Sequence, residues 1–482
     1  MLMRPSAKLT IALVIASSHL MSCGLLKKPQ NDNPQEENNI LPPRTTTEEG
    51  AMFLDVEDAE CQKTGSSVAF TSAQIWQWTG SNAIPRRVEL RGTPDAAGDQ
   101  NVESNGIIGA IYNFVMNYDC TKSEDDCKRS QANNSAGAVV KMCRADAAYQ
   151  RDTIESVTLT SQYFATRAYD LYQTVPSRKP DLTKGILLVL PKFKRVYSSL
   201  NKTKIDSDNA TFMKSSKSGD GIGIFQVLPT SVDFYKKAHL HFWEVPFVMA
   251  HEYGHNVFRH HVSLGSSVGL SLNDSKNRDL GLAEILPRRR GQKSAIQLAS
   301  DGDIASMAFS GVDELFADLY GYYTNDGAPN QLRGVLSLEA TRDLGSAFTI
   351  GGSPKGISKG IIDILEGRAV PLKPANKLDP AFDDEHDIAT ALGYVMASLL
   401  DSTHRGQPSS QKMDALIRWL NDFNVYINKA DISARLDGMI ELMVKNIVAT
   451  RTVSNNELMI ACANFAREAQ GLPQSVAACK AQ

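Results

Sequence analysis

The stretch Val248-Met249-Ala250-His251-Glu252-Tyr253-Gly254-His255-Asn256-Val257-Phe258 holds two histidines four residues apart, with a glutamate directly after the first. On a helix, His251 and His255 lie one turn apart on the same face, so two imidazoles can grip one metal ion. Glu252 sits beside them, where its carboxylate can take a proton from an attacking water. Pro246 suits the first turn of such a helix, and Gly265 lies just past its expected end. These residue types at this spacing predict a helix that carries the chemistry of the chain.

A catalytic zinc takes three protein ligands and leaves a fourth position for water or substrate. Two residues compete for the third place. His261 follows His251 by ten residues, a spacing that resembles the metzincin pattern. That pattern also needs a glycine three residues after the second histidine, to turn the chain and swing the last ligand round. Phe258 stands there instead and cannot make that turn cheaply. Met307, in Ala305-Ser306-Met307-Ala308-Phe309, is a faint counterpart of a Met-turn. The other candidate is Glu314, in Asp313-Glu314-Leu315-Phe316-Ala317-Asp318-Leu319-Tyr320-Gly321. Ser310 and Asp313 have capping-box-like spacing, so a helix is expected to begin there, with Glu314 and Asp318 on one face. Asp318 is then placed to accept a hydrogen bond from a ligating histidine. The paired carboxylates and the missing glycine favour Glu314.

Further on, Asp383-Asp384-Glu385-His386 precedes Ile388, Ala391, Leu392, Val395, Met396, Leu399 and Leu400. Those apolar positions repeat with helical period and predict an amphipathic helix. His386 stands at its N-terminal end among carboxylates that favour a charged imidazole, which suits it to hold an oxyanion.

In this order, the three elements resemble the thermolysin and fungalysin branch of the gluzincin zinc metallopeptidases, from about Ser161 to Leu400. Ser161-Gln162-Tyr163-Phe164-Ala165 and Tyr169-Asp170-Leu171-Tyr172 are similar to a helix of that family's N-terminal subdomain. Asp208-Asn209-Ala210-Thr211-Phe212 and Gly219-Asp220-Gly221 are similar to its edge strand and the turn after it. The resemblance implies an α+β, two-subdomain zincin with a β-containing N-terminal part, a mainly helical C-terminal part and the metal helix along the floor of a cleft. It implies Zn2+ on His251, His255 and Glu314, with Glu252 as general base and His386 at the oxyanion. Asn209 and Ala210 would pair with the substrate backbone by strand addition. Two features depart from the family pattern: a longer stretch separates Gly219 from His251, and Asp387-Ile388-Ala389-Thr390 replaces the small residues around the family's histidine. No calcium ligands can be matched.

Outward from these motifs, the chain of 482 residues carries 51 Lys+Arg against 54 Asp+Glu, a formal net charge of -3. That balance gives no footprint for a nucleic acid. Arg4 and Lys8 followed by an apolar run from Leu9 to Met21 read as a signal peptide, too short to span a bilayer. Leu20-Met21-Ser22-Cys23 resembles a bacterial lipobox, which would make Cys23 a lipid-bearing first residue anchored in a membrane. Residues 23–55 are rich in Asn, Gln, Pro, Glu and Thr and read as a flexible tether. The expected division is residues 1–22 as lipoprotein signal, 23–55 as tether, 56–150 as a β-containing region and 151–482 as the catalytic part. Strands are expected at Val68-Ala69-Phe70, Arg87-Val88-Glu89-Leu90, Gly185 to Leu190 and Gly221 to Leu228.

Besides Cys23 there are six cysteines, an even number that suits disulfides in an exported chain. Cys120–Cys127 and Cys462–Cys479 are the locally plausible pairs, though spacing alone leaves the connectivity open. Arg288-Arg289-Arg290 reads as a solvated loop. The expected molecule is a monomeric zinc endopeptidase acting on proteins or peptides outside the cytoplasm. The alternative from another class is a membrane-anchored binding protein that keeps the scaffold without turnover.

Overall fold

The computed structural model describes residues 54–65, 68–90, 108–122, 128–134, 138–182, 184–206, 210–214, 223–230, 239–262, 301–327, 349–350, 353–354, 386–428, 437–469 and 471–481. The chain is an α+β protein, with its strands in the first half and helices dominating the second. A short helix α1 (Ala59–Thr64) precedes the hairpin β1 (Ser72–Trp78) and β2 (Ala83–Glu89). Then come β3 (Ile108–Asp119), β4 (Lys128–Asn134), β5 (Ala138–Val139) and the long helix α2 (Ile154–Thr174). Next are β6 (Ile186–Tyr197), β7 (Lys202–Asp206), β8 (Ala210–Lys214) and β9 (Gly223–Val227). Helices α3 (Pro246–His261) and α4 (Asp301–Thr324) follow, then a two-residue pair, β10 (Thr349–Ile350) with β11 (Ser353–Pro354). The chain closes with α5 (His386–Thr403), α6 (Ser409–Ile427), α7 (Asp437–Ala449), α8 (Asn455–Glu468) and α9 (Pro473–Lys480).

The main sheet runs β4-β3-β6-β9-β8, with β5 also paired to β3 and β7 to β6. β6 is parallel to both β3 and β9, while β8 returns antiparallel along β9 and forms one end of the described order. The apolar run at the start of β6 has a direct cause. Leu187 and Val189 enter the main core, whereas Leu188 and Leu190 point into a second cluster with Tyr118, Phe193, Tyr197, Ile224 and Leu228. A strand covered on both faces has no reason to alternate. Pro191 sits where the β3–β6 register shifts, a place where a residue without an N–H breaks no ladder bond.

Several expectations hold, and three change. The strands near 185 and 221, the helix from Ser161 and the amphipathic helix after His386 are present. Val68-Ala69-Phe70 is not a strand; Val68 donates a single backbone bond to the Met142 carbonyl, and the ladder starts only at Ser72. The helix expected to begin around Ser310 begins at Asp301, so Ser310 and Asp313 lie inside it, and its buried apolar residues from Phe309 include Val312, Phe316, Leu319 and Tyr323. Met307 therefore lies inside a helix and forms no Met-turn. Cys462–Cys479 is bonded as expected, but the second described bridge is Cys61–Cys143, closing 82 residues. Cys120 is also disulfide-bonded, and Cys127 lies outside the described residues.

Side chains before residue 150 share one core with those after it. Ile75, Trp78, Val140 and Met142 belong to the same buried cluster as Phe164, Tyr253, Phe316 and Trp419. The link is polar as well: Trp76 N donates to Thr160 Oγ1 of α2, and the Glu155 carboxylate accepts from the backbone N–H groups of Glu57 and Asp58 and from Gln62 Nε2. No helix among the described residues is long and apolar enough to cross a membrane.

Helix α3 starts with Pro246 at its first turn and is buried almost all round from there to Phe258. It crosses α4 at very short range. A Cβ added at Gly254 would lie 2.7 Å from Ala317 Cα, and one at Gly321 would lie 3.1 Å from the Phe247 carbonyl oxygen. Glycines on both helices thus let the two backbones meet. Gly254→Ala should push them apart and lower stability by about 1–3 kcal/mol, as overpacking does. Chemical denaturation of the variant checks this, and an unchanged midpoint would show that the crossing tolerates a methyl group.

Candidate metal centre

The close crossing brings the imidazoles of α3 against the carboxylates of α4. His251, His255 and Glu314 form the one group of three or more His, Cys, Asp or Glu residues among the described residues able to hold a metal ion. His251 Nε2 lies 3.2 Å from His255 Nε2 and 3.3 Å from Glu314 Oε2, and His255 Nε2 lies 3.5 Å from Glu314 Oε1. Four ligands set tetrahedrally at about 2.0–2.1 Å from Zn2+ would stand about 3.3–3.4 Å apart. The two Nε2 atoms stand near that separation, each faces a different oxygen of Glu314, and one donor atom from each residue falls within 4.8 Å of the others. All three residues are buried.

The outer nitrogens explain why the inner ones converge. His251 Nδ1 is 2.8 Å from Asp318 Oδ1, and His255 Nδ1 is 3.0 Å from Asp313 Oδ1. A carboxylate at Nδ1 favours the tautomer with the proton there, which leaves the Nε2 lone pair for a metal. Two such lone pairs facing each other at 3.2 Å repel unless a cation lies between them. The donor set, two neutral imidazoles and one carboxylate, suits Zn2+.

Asp318 is where the spacing put it. Asp313 has another role than the cap expected of it: it lies inside α4 and braces His255. Arg259, which was not singled out from the sequence, reaches Asp313 with Nε at 2.9 Å and a terminal nitrogen at 2.8 Å. Its signal was the continued four-residue step from His251 through His255. Glu252 is buried on α3 beside the ligands.

His261 is turned to other work. Its Nε2 is 2.8 Å from the Tyr172 hydroxyl and its Nδ1 is 2.9 Å from Asn421 Oδ1, so both ring nitrogens engage α2 and α6. Phe258, in place of a helix-breaking glycine, is fully buried among Phe309, Phe316, Trp419 and Phe423. The helix runs straight through it to His261.

Above α3 lies the β8 end of the sheet. Phe212 of β8 stacks on the His255 ring at 6.3 Å, and Phe225 of β9 stacks on Tyr253 at 5.4 Å. Ala210, expected on an edge strand, is the first residue of β8 and is buried. Asn209 lies outside the described residues, as do Cys23 and Arg288-Arg289-Arg290. His386 is the first residue of α5, matching the expected helix start, while its side chain is outside what the structure describes.

No protein-family model matches the chain, and no curated protein matches it. The class that the fold and site define is therefore an α+β protein with a buried two-histidine, one-glutamate group that could bind a metal.

Burial lowers the His261 pKa from 6.5 to about 3, against the opposing hydrogen bond from its Nδ1 to Asn421 Oδ1. The folded state thus holds this ring neutral where the unfolded chain would protonate it. The resulting stability is complete above about pH 6.5 and drains away as the pH falls toward 3. It amounts to roughly 3–5 kcal/mol. His261→Gln should flatten the dependence of melting temperature on pH across that window. Profiles of equal slope for both proteins would show that other groups govern acid unfolding.

Proposed function

We propose that this chain is a zinc-dependent endopeptidase of the gluzincin type, with a thermolysin-like two-subdomain arrangement, acting on proteins or peptides outside the cytoplasm. The observation that carries the reading is the convergence of one donor atom each from His251, His255 and Glu314 within 4.8 Å of one another, with the two Nε2 atoms 3.2 Å apart and each imidazole backed by a buried aspartate. That is a preorganised site rather than two incidental histidines on a core helix. Metal binding at these residues is the base of the proposal, and turnover is built on it.

Zn2+ held by His251, His255 and Glu314 would supply Lewis acidity, polarising a peptide carbonyl and lowering the pKa of a water. Glu252, next to the first ligand, takes the proton from the attacking water and delivers it to the leaving amine. Its burial keeps the carboxylate from bulk solvent and so strengthens its interaction with the reacting groups. Asp318 and Asp313 hold the two imidazoles in the ligating tautomer throughout. Substrate backbone pairs with the β8 edge near Asn209 and Ala210, which sets the scissile bond over α3. His386, at the start of α5, steadies the oxyanion.

The N-terminal signal and Cys23 place the protein, in this reading, on the outer side of a cell membrane, tethered by residues 23–55. Its partners are then its substrate and the lipid surface.

Protein beginning at residue 51 should bind about one zinc per chain. It should also cleave casein, and a chelator should abolish that cleavage. Glu252→Gln should retain zinc while cleavage falls by about 10²–10⁴-fold. Cleavage by Glu252→Gln at the wild-type rate would refute the assigned base. Zinc binding without any cleavage would favour the scaffold that binds and does not turn over.

Glu314→Ala should strip the metal, while His261→Ala should keep it. Zinc lost only from His261→Ala would return the metzincin arrangement.

A further inference from the structure

Beyond the ligands, their aspartates and Glu252, a further charged group among the described residues reaches the site. Arg259 follows His255 by one helical turn and grips one oxygen of Asp313 with two nitrogens, at 2.9 and 2.8 Å. The other oxygen of the same carboxylate lies 3.0 Å from His255 Nδ1. Asp313 is fully buried, whereas the Arg259 side chain is 24 % exposed. Its guanidinium sits over the Phe309 ring at 5.2 Å and near Phe258 at 6.0 Å. The result is a continuous line from the protein surface to one metal ligand: guanidinium, carboxylate, imidazole, lone pair.

We propose that Arg259 is a positioning residue that acts through Asp313 to fix the His255 ring and so sets how tightly the site takes a divalent cation. This inference rests on the metal-binding reading above. The physical reason is rotational. A carboxylate held at one oxygen only by a histidine can swing, and its ring can swing with it. With the second oxygen clamped by a planar fork, the carboxylate plane is fixed, and Nδ1–H has one acceptor in one direction. The Nε2 lone pair then points where the His251 and Glu314 donors converge before any metal arrives.

An opposing effect exists, because a guanidinium near the site repels a cation. At this distance, with an aspartate between them and one flank open to solvent, that repulsion is screened by the negative charge it is paired with. Orientation should therefore win, and the sign of the mutational effect decides between the two. Lysine keeps the charge without the fork, and glutamine keeps neither, so the pair separates geometry from charge.

The test is zinc affinity of the full chain by competition with a chromophoric chelator, for wild type, Arg259→Lys and Arg259→Gln. Both variants should bind zinc more weakly, with Arg259→Gln losing about 10–100-fold, the range for partners that orient a ligating histidine. In an Asp313→Ala background, Arg259→Gln should add less than about twofold, since the intermediary is gone. Nitrogen NMR of the metal-free imidazoles gives a second readout if the double variant does not fold. The His255 ring should be protonated at Nδ1 in wild type and divided between tautomers in Arg259→Gln.

Unchanged or tighter zinc binding by Arg259→Gln would overturn the inference, as would a full additive loss in the Asp313→Ala background or an unaltered tautomer. A wild-type chain that binds no zinc would instead overturn the reading beneath it.

Discussion

The crossing of α3 over α4 at Gly254 and Ala317 is the contact on which the rest of the site depends. His251 and His255 lie on one helix, and Asp313, Glu314 and Asp318 on the other. Gly254 and Ala317 let the two backbones approach closely, which brings these facing side chains within hydrogen-bonding distance. A glycine inside the two-histidine motif and a glycine and an alanine on α4 remove the atoms that would keep them apart. The aromatic residues on either side do the opposite job and hold the crossing rigid. Phe258 locks the far end of α3 against α4 and α6, and Tyr253 locks it to the sheet.

That contact has an electrostatic consequence. Glu252, Asp313, Glu314 and Asp318 are each no more than 2 % exposed, and all come from two adjoining helices. Burying several carboxylates together is unfavourable unless positive charge and hydrogen-bond donors accompany them. Arg259 supplies one cation from the rim, His255 Nδ1 hydrogen-bonds Asp313, and His251 Nδ1 lies against Asp318 at 2.8 Å. A divalent ion between the inner nitrogens and Glu314 would offset most of the remaining charge. An arrangement of buried carboxylates and imidazoles of this kind is one that could bind a cation, and any such binding would add to the stability of the fold.

The sheet contributes position more than chemistry. Its strands β8 and β9 lie over α3, with β8 at one end of the described order and Phe212 stacked on His255. The N-terminal hairpin and α1 are fastened to α2 through Thr160 and Glu155, and the Cys61–Cys143 bridge ties α1 to the segment before α2, so the support behind the site is assembled from the beginning of the chain. His261 shows how a core can absorb a residue of ligand type. Once Tyr172 and Asn421 occupy its two nitrogens, it becomes a buried spacer between three helices.

Local spacing by itself determined the helix that carries His251, Glu252 and His255, because helical period alone puts two residues four apart on one face. It also revealed Glu314 and Asp318 as a pair, the amphipathic helix after His386 and the buried strand near residue 186, all from periodicity within a few turns. What spacing could not show depends on contacts between distant segments. Asp313 read as a cap because its neighbours had capping spacing, yet it faces a histidine 58 residues earlier. Arg259 was not singled out from local spacing, and its meaning comes only from that aspartate. The Cys61–Cys143 bridge joins residues 82 apart, beyond any local pattern. Phe258 was visible as a missing glycine, but only the packed core shows what replaced the turn: an aromatic side chain held by two other helices. Periodicity is a property of one element and survives in the sequence. Which elements touch is decided by how their faces fit, and only the tertiary structure carries that.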